Sequence, residues 1–599
     1  MADKKLKKRN EIDDEFKWDI EKMYPDEAGW EKDCTKSGNA AAEYMSFAGK
    51  LTESADTLLD AFTKKDEIWQ DVERVYVYAR MRKDEDNSNA KYQAMSDKSE
   101  TLIAKVSAQL SFFTPEFLET DEEIIRGYLE DNEGLKKYTH VINVILREKA
   151  HVLSKSEENI MAQMSEVTAA TGNIFSMIND ADIKFGLVRG EDGEEIELTH
   201  GNYIEFMESK NREVRKNAYT TMYDAYIKQK NTLAATYSYN TKTDVVTARI
   251  RKYPSSLEAA LSGDNVPVAV YNNLIDIVNE TLPVLHRYMG IRKKALSLDD
   301  LEMYDVYVPI VDIEEKHIEF NDSLKMIKKG LAPLGEEYIA RLGNGVKSGW
   351  VDIYENEGKT SGAYSFGSYD SMPYILLNYS DNLKDVFTLA HEMGHSMHSL
   401  YTRETQPFTY GGHSIFTAEV ASTVNESLLI NYLIDNTDDD KELKYLINRY
   451  IEDFRTTLFR QTMFTEFEKL THEAVEKGGV LTSEWLSNEY GILNAKYFGK
   501  EVHTDENIRM EWSRIPHFYR AFYVYKYATG YSAATALSMK ILEEGDSAVK
   551  DYLDFLRSGD SEDPIDLLKS AGVDMSSKEP IVNAMKVFTS LVDRFEKIM

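Results

Sequence analysis

The chain has 599 residues, of which 42% are apolar and 29% charged, with 31 glycines and 12 prolines. That balance excludes a disordered tract, a collagen-like repeat and a disulfide scaffold, and the single cysteine, Cys34, excludes an internal disulfide and a zinc finger built from cysteines. Lys+Arg 71 against Asp+Glu 103 leaves a net charge of −32, which repels nucleic-acid phosphates and anionic lipid, so neither nucleic acid nor membrane is expected as a partner.

At roughly 150 residues per domain the length allows two to four domains or one large fused fold. The N-terminal stretch MADKKLKKRNEIDDEFKWDI carries basic residues with no apolar core behind them, so no export signal is expected and cytoplasm is the default. Nowhere does an apolar run reach the ~18 residues of a spanning helix.

From about Glu11 to Ala181, apolar residues recur at three- and four-residue spacing, which predicts helices. Thr114-Pro115-Glu116 reads as a helix start with proline in the first turn, and Ser154 with Glu157 reads as a capping box. The stretch 183–198 alternates around Asp192-Gly193 and predicts a small hairpin. Helical spacing resumes from Asn202 to about Ser297, which places a boundary near residue 200 and divides the chain into an N-terminal helical region, 1–200, and a second region, 201–599. The segment Trp350 to Tyr379 mixes aromatic and β-branched residues with Gly358, Gly362 and Gly367, and predicts two or three strands. Helix returns at Asp381 and dominates to the end, so the expected fold is mainly α with a small sheet beside one particular helix.

That helix, in DNLKDVFTLAHEMGHSMHSLY, contains His391-Glu392-Met393-Gly394-His395. Residues four apart share a helix face, so His391 and His395 can present two imidazoles to one zinc ion while Glu392 reaches the adjacent water, the logic of an HExxH site. Val386, Phe387, Leu389 and Ala390 make the preceding turn apolar, and buried paired histidines need a partner.

A catalytic zinc needs a third protein ligand and an open position. His398 lies two turns of about 5.4 Å from His391, too far to share an ion with bonds of roughly 2 Å, and reads as a supporting or packing residue. The HExxHxxGxxH class is excluded, since His398 and Tyr401 stand where it requires glycine and histidine. His413, in Tyr410-Gly411-Gly412-His413, reads as a loop or substrate-contacting histidine. Glu419, in the second helical stretch SIFTAEVASTVNESLL, is the strongest candidate, since two antiparallel helices would bring it to the metal. Glu426, seven residues on, is placed to accept the second N–H of a ligating histidine.

Three segments, His391 to His398 (HEMGHSMH), Phe416 to Glu426 (FTAEVASTVNE) and Ile515 to Gly530 (IPHFYRAFYVYKYATG), resemble the oligoendopeptidase F branch of the thimet oligopeptidase family of zinc metallopeptidases. Lys17 to Tyr24 and Tyr138 to Leu153 resemble its N-terminal region, so the likeness runs over nearly the whole chain. The resemblance implies two helical lobes around a deep substrate channel, with one zinc ion at its floor and a small sheet along one wall. It also implies short unstructured oligopeptides as substrates, paired by strand addition beside Gly362 and Tyr364. From the third segment, His517, Tyr519 and Tyr525 are expected to line the site and donate hydrogen bonds to the tetrahedral intermediate, with Tyr525 the first choice and Tyr527 read as packing. The implied activity is that of an endopeptidase with Glu392 as general base, working as a monomer or small homo-oligomer. An aminopeptidase and a non-cutting peptide binder are the rival readings, and the intact Glu392 argues against the second.

Overall fold

A computed structural model of the protein describes residues 6–314 and 316–599. It is mainly α-helical, as the spacing predicts, with short strands gathered in three small sheets. The chain forms two compact units woven from separate stretches. The first comprises Met1–Ala150, Glu315–Tyr432 and Leu537–Gly572; the second comprises His151–Glu314, Leu433–Ala536 and Val573–Met599. No helix among the described residues is long and apolar enough to cross a membrane.

In the first unit the helices Glu27–Tyr44, Ala55–Glu85 and Ala90–Leu110 pack against one another. Asp26, Ser54 and Asn89 cap their N-termini, each accepting a hydrogen bond from a first-turn N–H left without a helical partner. Ahead of them the chain departs from the helix expected at Glu11: it runs as short 3-10 turns, Arg9–Glu11, Asp14–Phe16 and Ile20–Lys22. The cause is a set of long-range ties. Arg9 bonds Asp352 and Glu85, Asp19 N–H donates to the Gly349 carbonyl, and Ile353 N–H to that of Phe16.

The predicted sheet has three strands. Tyr374–Leu376 lies in the centre, parallel to Val351–Asp352 and antiparallel to Tyr364–Phe366. The central strand is wholly buried, so it reads as an unbroken apolar run, whereas Tyr364–Phe366 is an edge strand. The sheet packs on the helix Leu383–Thr405, which carries the HExxH sequence and is capped by Asn382. On that helix also packs Asp546–Ser558, from the last stretch of the unit.

The second unit is built around Val268–Ala295, which packs on Ser483–Phe498, Arg460–Glu476 and Glu579–Ile598. The predicted hairpin is present as Leu187–Arg189 and Glu195–Glu197. Its loop spans residues 190–194, wider than a two-residue turn, with Gly193 at φ +84° and Asp192 accepting from Glu194 N–H. The capping box of Ser154 and Glu157 forms as expected. Pro115 falls in the first turn of Phe113–Glu119, but Thr114 lies inside that helix and does not cap it. A parallel pairing of Leu301–Glu302 with Val502–His503 has no counterpart in the predicted elements, because two-residue strands carry no periodicity to detect.

Candidate active site

Two helices build the site. Leu383–Thr405 buries Val386, Phe387, Leu389, Ala390, Met393 and Met397, which leaves His391 and His395 half-buried one turn apart. Ile415–Asn436 buries Val420, Ala421, Val424 and Leu428 and presents Glu419 and Glu426. The approach of the two helices depends on Gly394. A Cβ there would come within 2.5 Å of Ser422 Cα and 2.6 Å of the Ala421 carbonyl oxygen, so only glycine allows this contact. Asn425 ties the pair further by donating to the Ala390 carbonyl at 3.0 Å, and its own oxygen accepts from the Tyr338 hydroxyl.

The result is convergence of three donors. His391 Nε2 and His395 Nε2 lie 3.2 Å apart, and Glu419 Oε2 stands 3.4 Å and 3.6 Å from them. Among the described residues this is the one group of His, Cys, Asp and Glu whose ligand atoms lie within 4.8 Å of one another. Two imidazoles and one carboxylate are the donor set of a catalytic zinc site with one position left for water. His391 Nδ1 donates to Glu426 Oε1 at 2.5 Å, which fixes its tautomer and aims Nε2 at the ion position. His395 makes a backbone hydrogen bond to Ala418, a partner the sequence pattern does not signal because any residue supplies a carbonyl.

The charges of the group are coupled. Burial alone would lower the His391 imidazole, but hydrogen bonds to Glu419 and Glu426 outweigh it and hold the group well above its ordinary value. Burial and the neighbouring His391 charge push His395 down to about 4, and the bond from His391 holds Glu419 at about 2. Glu392 is 7% exposed; burial, with the Glu419 charge beside it, pushes its carboxyl up to about 7 even though His391 and the Ser365 N–H oppose the shift. The edge strand therefore touches the motif directly, and Ser365 Oγ also bonds Ser396 Oγ at 2.8 Å.

Other predicted residues fall elsewhere. His398 is buried against His413, ring centroids 3.7 Å apart, and Phe555, and no hydrogen bond joins it to the three donors. His413 donates Nε2–H to Thr402 Oγ1 at 2.9 Å, since the Thr402 hydroxyl gives its one proton to the Leu556 carbonyl. That bond engages one ring nitrogen of His413 within the first unit. Gly362 adopts φ +85° with open space where a side chain would stand, and Tyr364 donates its hydroxyl to Asp84 at 2.8 Å.

In the second unit, Tyr519 stacks on Phe175 at 4.4 Å. Tyr525 has no exposed surface and packs on Tyr271 at 5.2 Å. Tyr523 and Tyr527 instead flank His517, with ring centroids 6.0 Å and 5.9 Å from the imidazole and 5.5 Å from each other.

A helical scaffold that presents HExxH on one helix and a converging glutamate on the next is the arrangement of a metallopeptidase of the two-histidine, one-carboxylate kind. The sequence pattern of Peptidase family M3 matches residues 205–587, and that of Oligopeptidase F matches residues 116–185. The chain belongs to Peptidase family M3. It is 47% identical to "Oligopeptidase PepF" of Bacillus subtilis over all of this chain and 90% of that one. The crystal structure of oligoendopeptidase-F from Enterococcus faecium is 36% identical with a TM-score of 0.75, covering 96% of this chain and 99% of the other. A crystal structure from Chlamydophila abortus, 35% identical, superposes with a TM-score of 0.93 over 99% of this chain and 100% of that chain.

Proposed function

We propose that the protein is a zinc-dependent endopeptidase that hydrolyses internal bonds of short unstructured oligopeptides. The observation that carries this reading is the convergence of His391, His395 and Glu419 with Glu392 beside them and Glu426 behind His391. A zinc ion on those three donors would supply Lewis acidity, polarising the scissile carbonyl and lowering the pKa of water from 15.7 towards about 7.

The chain's own groups do the rest. Glu392 takes the proton of the attacking water on its carboxylate and passes it to the leaving amine, so one residue serves as base and then acid. Glu426 keeps His391 Nδ1 protonated through both steps. The edge strand Tyr364–Phe366 has no further strand beside it among the described residues, and its outer edge suits pairing with an extended peptide, with Gly362 leaving room at its start. For hydrogen bonds to the developing oxyanion we assign His517 with Tyr523 or Tyr527 in place of the enclosed Tyr525. A tyrosine hydroxyl, ordinary pKa about 10, stays a donor at neutral pH. The division at residue 200 is supported by the interval between the two family matches, 116–185 and 205–587, while the compact units follow other bounds.

The test is hydrolysis of an internally quenched peptide, blocked at both ends, before chelation, after it, and after one equivalent of zinc is returned. Activity that vanishes and returns is expected. A metal-loaded protein that leaves a varied set of blocked peptides uncut would overturn the endopeptidase reading in favour of an exopeptidase.

A further inference from the structure

Between the 3-10 turn Pro516–Tyr519 and the helix beginning at Tyr525, the chain bends at Phe522. Phe522 has φ +54°, and among the described non-glycine residues with positive φ it is the one with a bulky apolar side chain. That conformation is strained for such a residue and persists only where the surroundings hold it. The Phe522 ring packs edge-on against Tyr271 at 5.7 Å and against His472 at 4.4 Å, and its backbone N–H donates to Glu468 Oε1 at 3.0 Å.

Glu468 is an unusual choice for that acceptor. It lies in Arg460–Glu476 with no exposed surface, and its Oε2 is buried without a hydrogen-bond partner. Other glutamates of the same unit have cations: the buried Glu511 pairs with Arg460, and the half-buried Glu452 with Arg292 and Arg455. Glu468 has none among the described residues. Burial drives its carboxyl well above the carboxylate range, which the Phe522 N–H opposes and the Asp244 charge reinforces.

We propose that Glu468 is a positioning residue for catalysis: by holding the Phe522 N–H it fixes the bend that sets Tyr523 and Tyr527 beside His517. Phe522 immediately precedes Tyr523, so a rotation at its φ swings Tyr523 away from the His517 ring and alters the phase at which the next helix presents Tyr527. The contact is remote from the metal donors in sequence, and its loss leaves them untouched. The inference rests on the reading that the His517 cluster donates hydrogen bonds to the substrate.

The experiment compares Glu468→Leu and Glu468→Gln in the full-length zinc-loaded enzyme. The leucine variant should lose about tenfold in kcat with KM and zinc content near the wild-type values, because displacement of a donor by about 1 Å weakens transition-state contacts more than ground-state binding. Glutamine offers an acceptor oxygen at the same reach and should restore kcat to within about twofold. If the leucine variant does not fold, Glu468→Asp, which withdraws the acceptor by one methylene, should show the same fall in kcat. A leucine or aspartate variant with wild-type kcat, or a glutamine variant as impaired as leucine, overturns the proposal. Tyr523→Phe, Tyr527→Phe and His517→Ala are measured alongside. Reduced kcat in these with no effect at Glu468 leaves the donor reading standing and removes Glu468 from it, whereas wild-type kcat in all three removes the donor reading and the proposal together.

Discussion

Gly394 and Ser422 meet backbone to backbone: a methyl group on Gly394 would stand 2.5 Å from Ser422 Cα. The helix of His391 and His395 and the helix carrying Glu419 are spaced by that contact, so Glu419 is placed by a residue with no donor atom of its own. Gly394→Ala must push the helices apart, at a cost of about 1–3 kcal/mol for overpacking. Zinc affinity should fall at least about tenfold, by analogy with loss of an outer partner of a ligand. Competition with a chromogenic chelator measures it, and an alanine variant that holds zinc as tightly as the parent would mean the helices are spaced by something else.

Glu392 and His395 should separate chemistry from metal binding. Glu392→Gln is expected to bind zinc normally and lose about 10²–10⁴ in kcat, the range for removal of a general acid–base group. His395→Ala should lose the metal as well. Zinc content by elemental analysis beside the peptide assay distinguishes the two, and near-parental turnover in the glutamine variant would refute the general-base role.

Under the proposed function, Glu426 would act on the metal through its bond to His391 Nδ1. Glu426→Leu removes the acceptor and should weaken zinc by about 10–100-fold, while Glu426→Gln keeps an acceptor oxygen and should lose less. Equal affinities for the two variants would contradict a hydrogen-bonding role.

His413 predicts a pH dependence of stability. Burial, together with the Arg403 charge, lowers its pKa from about 6.5 to about 3. The folded state therefore refuses a proton that the unfolded state accepts, so stability is full above pH 6.5 and is lost as pH falls towards 3. In metal-free protein, His413→Asn should flatten that part of the profile relative to the parent. Urea unfolding between pH 7 and pH 4 gives the comparison, and parallel profiles would show that His413 is protonated in the folded state.

Among the tyrosines, Tyr523→Phe or Tyr527→Phe should reduce kcat with little change in KM, because a bond to the oxyanion forms in the transition state. Tyr525→Phe, buried on Tyr271, should leave kcat near the parental value. The opposite ranking would return the donor role to Tyr525.

Much of the site was legible in the chain because the chemistry restricts residue type and spacing together. The i, i+4 histidines, the adjacent glutamate and a second helix with Glu419 and Glu426 seven apart are periodic features, and they converge in space. The helical class followed from the same periodicity. What escaped was set by tertiary contact. Gly394 reads in sequence as a tolerated helix glycine, and its role appears only when Ser422 is opposite it. Tyr525 and Tyr527 differ by two positions in an aromatic run, and only the folded chain shows that Tyr525 packs on Tyr271 while Tyr527 lies beside His517. The turns before Glu27 failed the helical expectation because Arg9 is bound to Asp352, a partner more than half the chain away.

The first compact unit takes its last stretch from Leu537–Gly572, including the helix that packs on the metal helix, the Leu556 carbonyl that binds Thr402, and Asp560, which accepts from Ser414 N–H at the head of the Glu419 helix. On the ribosome, at roughly 5–20 residues per second, that stretch follows residue 150 by about 20 to 80 s. For all that time the N-terminal helices wait for their last neighbour. A nascent chain released before it emerges carries every metal donor and every proton-transfer group, yet lacks the wall that holds them in register. Peptide cutting is thereby reserved for chains whose synthesis has passed residue 572.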